Sequence, residues 1–254
     1  MSYFNEMNLP QPLTKALTRI GFLEPTPIQA KAIPILIDHQ DLMACAETGS
    51  GKTGAYLIPM IKHLLENPQA QGLILSPTRE LASQISEFLN QLAPSSREFQ
   101  RAHLVGGQDI RKQFKSLQRK PRIIVATPGR LIDHLKRRTV HIHKVNHLVL
   151  DEGDRMIDMG FSPQLQQILK FLPKERQTSF FTATLDEKVK KLAKNYLSNP
   201  VTLFLNNSRP VSKIKQSVVQ VETKDKDECI LQELNERNGS VIVFLKTKHR
   251  TDKL

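Results

Sequence analysis

The chain has 254 residues, 39% of them hydrophobic, with a net charge of +12. This excludes wholesale disorder, leaves room for one large domain and part of another, and favours a polyanionic partner, nucleic acid before an anionic membrane. No apolar stretch approaches the ~18 residues of a membrane span, no secretory leader is visible behind Met1, and the distant Cys45 and Cys229 fit no metal or redox spacing but suit a reduced, cytoplasmic compartment.

Short, nearly unbroken apolar runs alternate with helical patterns along most of the chain. Strands are predicted at 42–45, 72–75, 102–105, 123–126, 147–150, 178–181 and 201–204. Runs without polar alternation are what a sheet covered on both faces requires. Between them, Leu81, Ile85, Phe88, Leu89 and Leu92 share one face of a helix over 80–92. Helices over 162–172 and 186–197 repeat the pattern, with Pro163 suited to a first turn. The order predicts an α/β fold, a doubly wound parallel sheet whose ligands bind at the carboxyl ends of the strands.

Asn206-Asn207-Ser208-Arg209-Pro210 interrupts this order and reads as a linker. A second α/β unit is expected after it, with strands at 217–221 and 241–245 around a helix at 226–236. Ending at Leu254, that unit reads as a truncated domain near the floor for autonomous folding. Val218, Val221, Ile230, Leu234, Val241 and Val243 are expected to lack full cover, with protease cleavage near 208–215 leaving a core that ends around 205.

The most informative segment is Ala46-Glu47-Thr48-Gly49-Ser50-Gly51-Lys52-Thr53, directly after the first predicted strand. Gly49 and Gly51 let backbone N–H groups approach phosphates, Lys52 reaches the β/γ oxygens and the Thr53 hydroxyl suits Mg²⁺. Ala46 stands where the strict pattern has glycine. The acidic partner follows another predicted strand, as Leu148-Val149-Leu150-Asp151-Glu152.

With Gly21-Phe22-Leu23-Glu24-Pro25-Thr26-Pro27-Ile28-Gln29, Asp151-Glu152-Gly153-Asp154 and Thr182-Ala183-Thr184 in this order, the chain resembles the DEAD-box RNA helicases, two-domain RecA-like remodellers of RNA. The resemblance implies an adenine-recognition segment at 1–30, a RecA-like P-loop domain at 31–206, a linker at 207–216 and the start of a second RecA-like domain at 217–254. It implies ATP and Mg²⁺ as ligands. Gln29 would read adenine, offering one donor and one acceptor to its N6/N7 edge, and Phe4 would stack on the base. Asp151 would hold Mg²⁺ through water, Glu152 would activate the attacking water, and Asp154 would couple this loop to Thr182 and Thr184.

By the same resemblance, RNA is contacted by Pro77, Thr78 and Arg79, by Gly106 and Gly107, and by Thr127, Pro128, Gly129 and Arg130. Each segment follows a strand, so its free N–H groups favour phosphate and binding without base specificity. Two positions depart from the family pattern: Glu47, where many relatives carry glutamine, and Gly153, where the family has alanine. Gly153 is expected to soften the loop by ~0.5–1 kcal/mol without abolishing ATP binding.

The resemblance also implies that second-domain arginines complete the site, worth ~10³–10⁵ in rate. The 254 residues alone are therefore expected to be nearly inactive. The alternative function is a non-catalytic ATP- and RNA-binding module; other P-loop ATPase signatures are absent. Three features read as structural: His141, His143 and His147, a possible metal cluster without a cysteine or carboxylate to complete it; the lysines 188, 190, 191 and 194, a solvated helix face; and Cys45, a core residue.

Overall fold

A computed structural model describes residues 4–93, 99–205 and 217–253, and the chain divides into two units, residues 1–207 and 208–254. In the first unit a 3₁₀ turn, Phe4–Met7, precedes helices α1 (Gln11–Arg19) and α2 (Pro27–Ile37). Then follow β1 (Leu42–Cys45), α3 (Lys52–Glu66), β2 (Gln71–Leu75), α4 (Arg79–Leu92), β3 (Arg101–Leu104), α5 (Ile110–Gln118), β4 (Ile123–Ala126) and α6 (Pro128–Lys136). The unit continues with β5 (Val145–Leu150), α7 (Gly153–Asp158), α8 (Ser162–Leu169), β6 (Gln177–Thr182), α9 (Glu187–Lys194) and β7 (Val201–Phe204).

The strands form one parallel sheet in the order β3-β4-β2-β5-β6-β1-β7. Its two faces carry separate cores. Ile123, Val125, Val149 and Phe181 pack with α1–α4, whereas Ile124, Ala126, Leu148, Leu150 and Phe180 pack with α6, α8 and α9. The strand period of two divides each apolar run between these cores, which is why the runs show no polar alternation.

The register aligns the carboxyl ends of Cys45, Leu75, Leu104, Ala126 and Thr182 along one edge. Because β6 lies between β1 and β5, its end falls between the loop after β1 and the acidic turn after β5. Thr26 and Gln29 close both halves of a capping box at the start of α2.

The sequence reading is corrected in the second unit. The helix is present as α10 (Lys226–Asn235), followed by a short α11 (Lys248–Thr251), but residues 217–221 and 241–245 form no strands. A β run is stabilised by a hydrogen-bonded neighbour and a covered face. Here neither run has a ladder, and Val218 and Phe244 are 91% and 90% exposed. The linker at 207–216 and the expected cleavage site at 208–215 lie outside the described residues. Among those residues no helix is long and apolar enough to cross a membrane.

Candidate functional site

The loop after β1 closes on itself. Lys52, 6% exposed, donates its Nζ hydrogen to the Ala46 carbonyl at 2.7 Å, and Ser50 donates to Glu47 O through N (3.3 Å) and Oγ (2.7 Å). Helix α3 opens at Lys52, so its dipole and first amides face the loop. One turn on, the buried Tyr56 hydroxyl donates to Asp151 Oδ2 at 2.9 Å. That bond joins the phosphate loop's helix to the acidic turn across β6. Tyr56 was not found from the sequence; its place four residues after Lys52, on the same helix face, was the available signal.

Asp151 is 2% exposed, and burial pushes its carboxyl up to about 6. Tyr56, the Glu152 amide (3.0 Å to Oδ1) and Lys52 pull it down, and the Glu152 charge pushes it up. Glu152 has φ 51°, a left-handed conformation that costs a non-glycine residue about 1 kcal/mol or more. The turn swings the chain from β5 into α7, and Arg155 holds the Glu152 carboxylate at 3.1 Å. Asp154 turns toward β6: its Oδ2 accepts from the Ala183 amide (3.1 Å), the Thr184 amide (2.9 Å) and the Thr184 hydroxyl (2.9 Å). Thr182 Oγ1 donates to Thr184 O at 2.7 Å.

Gly153 is not a softening residue. It is buried, and a Cβ placed on it would stand 2.2 and 2.4 Å from two atoms of the Phe180 ring, itself 0% exposed. The ring fills the space an alanine methyl would take, so glycine here is the packing complement of Phe180.

Gln29 is 1% exposed; its Oε1 accepts from the Thr26 amide and its Nε2 donates to Gly51 O, both at 3.0 Å. The capping box thus tethers α2 to the phosphate loop and leaves the amide one further donor and one further acceptor. Phe4 is 3% exposed, with its ring centroid 6.3 Å from that of Phe22. In this conformation its ring faces protein, so stacking on a base requires the 3₁₀ turn to move.

Pro77, Thr78, Arg79, Gly106, Thr127, Gly129 and Arg130 line one open groove of about 690 Å³. The Arg79 guanidinium lies against Gly106 and Gly107, so close that a Cβ at Gly107 would stand 1.9 Å from Nη1. Arg130 reaches Gln113 Oε1 (3.4 Å), and Gln113 in turn bonds His134 (2.9 Å) and Val105 O (2.9 Å). This buried network behind Arg130 gave no motif in the sequence.

A family model described as DEAD/DEAH box helicase matches residues 26–192, well over half of the chain. The chain belongs to that family. It is 44% identical over 256 residues to the ATP-dependent rRNA helicase rrp3 of Aspergillus fumigatus, covering 99% of this chain and 54% of that protein. It is 39% identical to the DEAD-box ATP-dependent RNA helicase CshA of Bacillus subtilis, covering 99% and 51%. The chain therefore spans about half the length of the curated relatives it matches. The crystal structure of a DEAD box protein from the hyperthermophile Methanococcus jannaschii superposes with a TM-score of 0.75 at 35% identity, covering 99% of this chain and 68% of that one.

The histidines group differently from the sequence expectation. His141 and His143 face each other with ring centroids 6.0 Å apart. His147 lies elsewhere, its ring 4.2 Å from that of His63 and 6.1 Å from that of His39. Cys45 is buried and the four lysines of α9 are exposed, as expected of a core residue and a solvated face.

Proposed function

We propose that this chain is the nucleotide- and RNA-binding core of an ATP-dependent RNA helicase working in the cytoplasm. The single observation that carries the reading is the hydrogen bond from Tyr56, on the helix that opens at Lys52, to Asp151. It puts the loop that would hold the triphosphate beside the carboxylate that would hold its metal.

Mg²⁺ fits the residues present. Asp151 is an almost fully buried acid that accepts from the Tyr56 hydroxyl and the Glu152 amide, both neutral donors, so a divalent cation would balance its charge. Thr53 and Asp151 would hold the ion, which when bound neutralises charge on the β- and γ-phosphates. Lys52 would exchange the Ala46 carbonyl for phosphate oxygens. Glu152 would take the proton of the attacking water, a role worth ~10²–10⁴ in rate. Asp154, bonded to both amides and the hydroxyl of the 183–184 turn, would pass any shift of the acidic loop to β6. The groove also carries the Glu80 and Asp133 carboxylates, but its threonines, glycines and two arginines suit it to phosphate contacts, hence to RNA of any sequence.

Arginines of a second RecA-like domain would complete the reaction. The 254 residues by themselves should bind ATP and RNA weakly and turn over very slowly. The test is RNA-stimulated ATP hydrolysis by this chain beside one extended with a full second domain. Turnover of ~1 s⁻¹ or faster by the shorter chain would contradict the missing-arginine argument. An inactive extended chain that still binds both ligands would instead identify a non-catalytic binding module.

A further inference from the structure

At the amino edge of the sheet, opposite the nucleotide site, three imidazoles converge from distant parts of the chain. His39 lies between α2 and β1, His63 on the last turn of α3, and His147 inside β5. One ligand nitrogen from each lies within 4.8 Å of the other two. We propose that His39, His63 and His147 form a binding site for one zinc ion, with water at its fourth position.

The donor chemistry selects the ion. Neutral imidazole suits Zn²⁺ and suits Mg²⁺ poorly, and three histidines plus water is an established tetrahedral set. Zn–N bonds of ~2.0–2.1 Å place tetrahedral ligand atoms about 3.3 Å apart. The cluster must therefore contract by an ångström or so, and His39, exposed on its loop, is free to swing in.

His147 is the fixed member, 5% exposed. Gln177 donates both amide hydrogens to backbone, to Leu36 O and Gln40 O at 2.9 Å each. With both donors spent, its oxygen is the atom left to serve as acceptor toward the His147 ring. A ligating histidine needs such an outer partner to set its tautomer. His39 is the left-handed residue that ends α2 (φ 58°), where the Gln40 amide returns to Ile35 O, and this cap brings its ring to the other two. Packing of neutral rings would account for the edge-on contact of His63 and His147, but not for the convergence of one ring nitrogen from each of three histidines.

A bound ion would tie together the α2–β1 loop, the end of α3 and the start of β5. The test is zinc binding by the complete chain in excess Mg²⁺, with Co²⁺ absorption reporting coordination. We expect one equivalent bound, visible bands of a four-coordinate nitrogen site, and a higher melting temperature with zinc. His39→Ala, at an exposed position, should weaken binding at least ~100-fold. His141→Ala/His143→Ala and Asp151→Asn should each leave it within twofold. Failure of the parent chain to hold more zinc than His39→Ala/His63→Ala would overturn the proposal. So would loss of binding in the His141→Ala/His143→Ala or Asp151→Asn variants, which would place the ion on another histidine pair or in the nucleotide site.

Discussion

His147, inside β5, and Asp151, directly after its last residue, are both almost fully buried, and burial moves them in opposite directions. It lowers the imidazole to about 3 and raises the carboxyl to about 6, favouring the neutral form of each. The neighbours then make the difference. His147 meets other imidazoles and an amide oxygen, whereas Asp151 meets a phenol, a backbone amide and the field of Lys52. One end of the strand therefore offers nitrogen lone pairs to a borderline metal, and the other offers carboxylate oxygen to a hard one. On the two proposals above, a single strand would position two cation sites of different chemistry, because its ends lie on opposite edges of a parallel sheet.

If the ends are independent, changes at the acidic end should alter catalysis without touching zinc binding. The largest effect is expected from Glu152→Gln in the protein extended by its second domain. RNA-stimulated hydrolysis should fall ~10²–10⁴-fold, with ATP and RNA affinities within a few-fold of the parent. Zinc should raise the melting temperature of this variant as much as that of the parent. A smaller zinc shift in Glu152→Gln would show that the two edges communicate.

Gly153→Ala probes the same end through packing. The added methyl meets the Phe180 ring, and overpacking of this kind costs ~1–3 kcal/mol, or roughly 2–10 °C in melting temperature for a domain of this size. Phe180→Leu added to Gly153→Ala should recover most of the loss. An alanine variant as stable as the parent would mean that Phe180 has room to move, and the glycine would then be unexplained.

Most of the first unit was legible in the sequence because its signals are local. Strand runs, helix faces and the phosphate loop each depend on residues close together in the chain, and the residue bounds of β1, β4 and β7 match those predicted. Tyr56, Phe180 and the histidine trio were not legible. Each acquires its meaning from a partner about 25 to 110 residues away, and no spacing rule marks such a pair. His147 shows the cost: the nearby His141 and His143 attracted it into the wrong group. In the second unit, 217–221 and 241–245 have strand composition, but composition supplies neither a neighbour nor a covered face.

Tyr56→Phe removes a donor from the buried Asp151 carboxylate while keeping the ring that packs against Phe181. We expect a loss of ~1–3 kcal/mol in the ligand-free protein, read by denaturant melts. With Mg²⁺ and a non-hydrolysable ATP analogue the loss should shrink, because the cation takes over the missing interaction. An equal loss in both states would separate Tyr56 from the metal function of Asp151 and leave it a core residue only.

The smallest effect concerns Asp154. Partial burial pushes its carboxyl up, but hydrogen bonds from the Thr184 hydroxyl and amide and the Arg155 amide outweigh this and leave it below its ordinary 3.8. A depressed carboxylate stabilises the fold above its unfolded value, and that contribution disappears as pH falls through the folded value. The parent should therefore be more stable than Asp154→Asn at neutral pH, and the gap should close below about pH 4. The group is half exposed, so solvent screening limits the gap to a fraction of a kcal/mol, about 1–2 °C. Because the bonds end on the 183–184 turn, RNA-stimulated hydrolysis by the extended protein should fall further than this small stability loss explains. Equal stability of parent and variant from pH 4 to 8, with unchanged hydrolysis, would remove Asp154 from any coupling role and confine the working part of the acidic turn to Asp151 and Glu152.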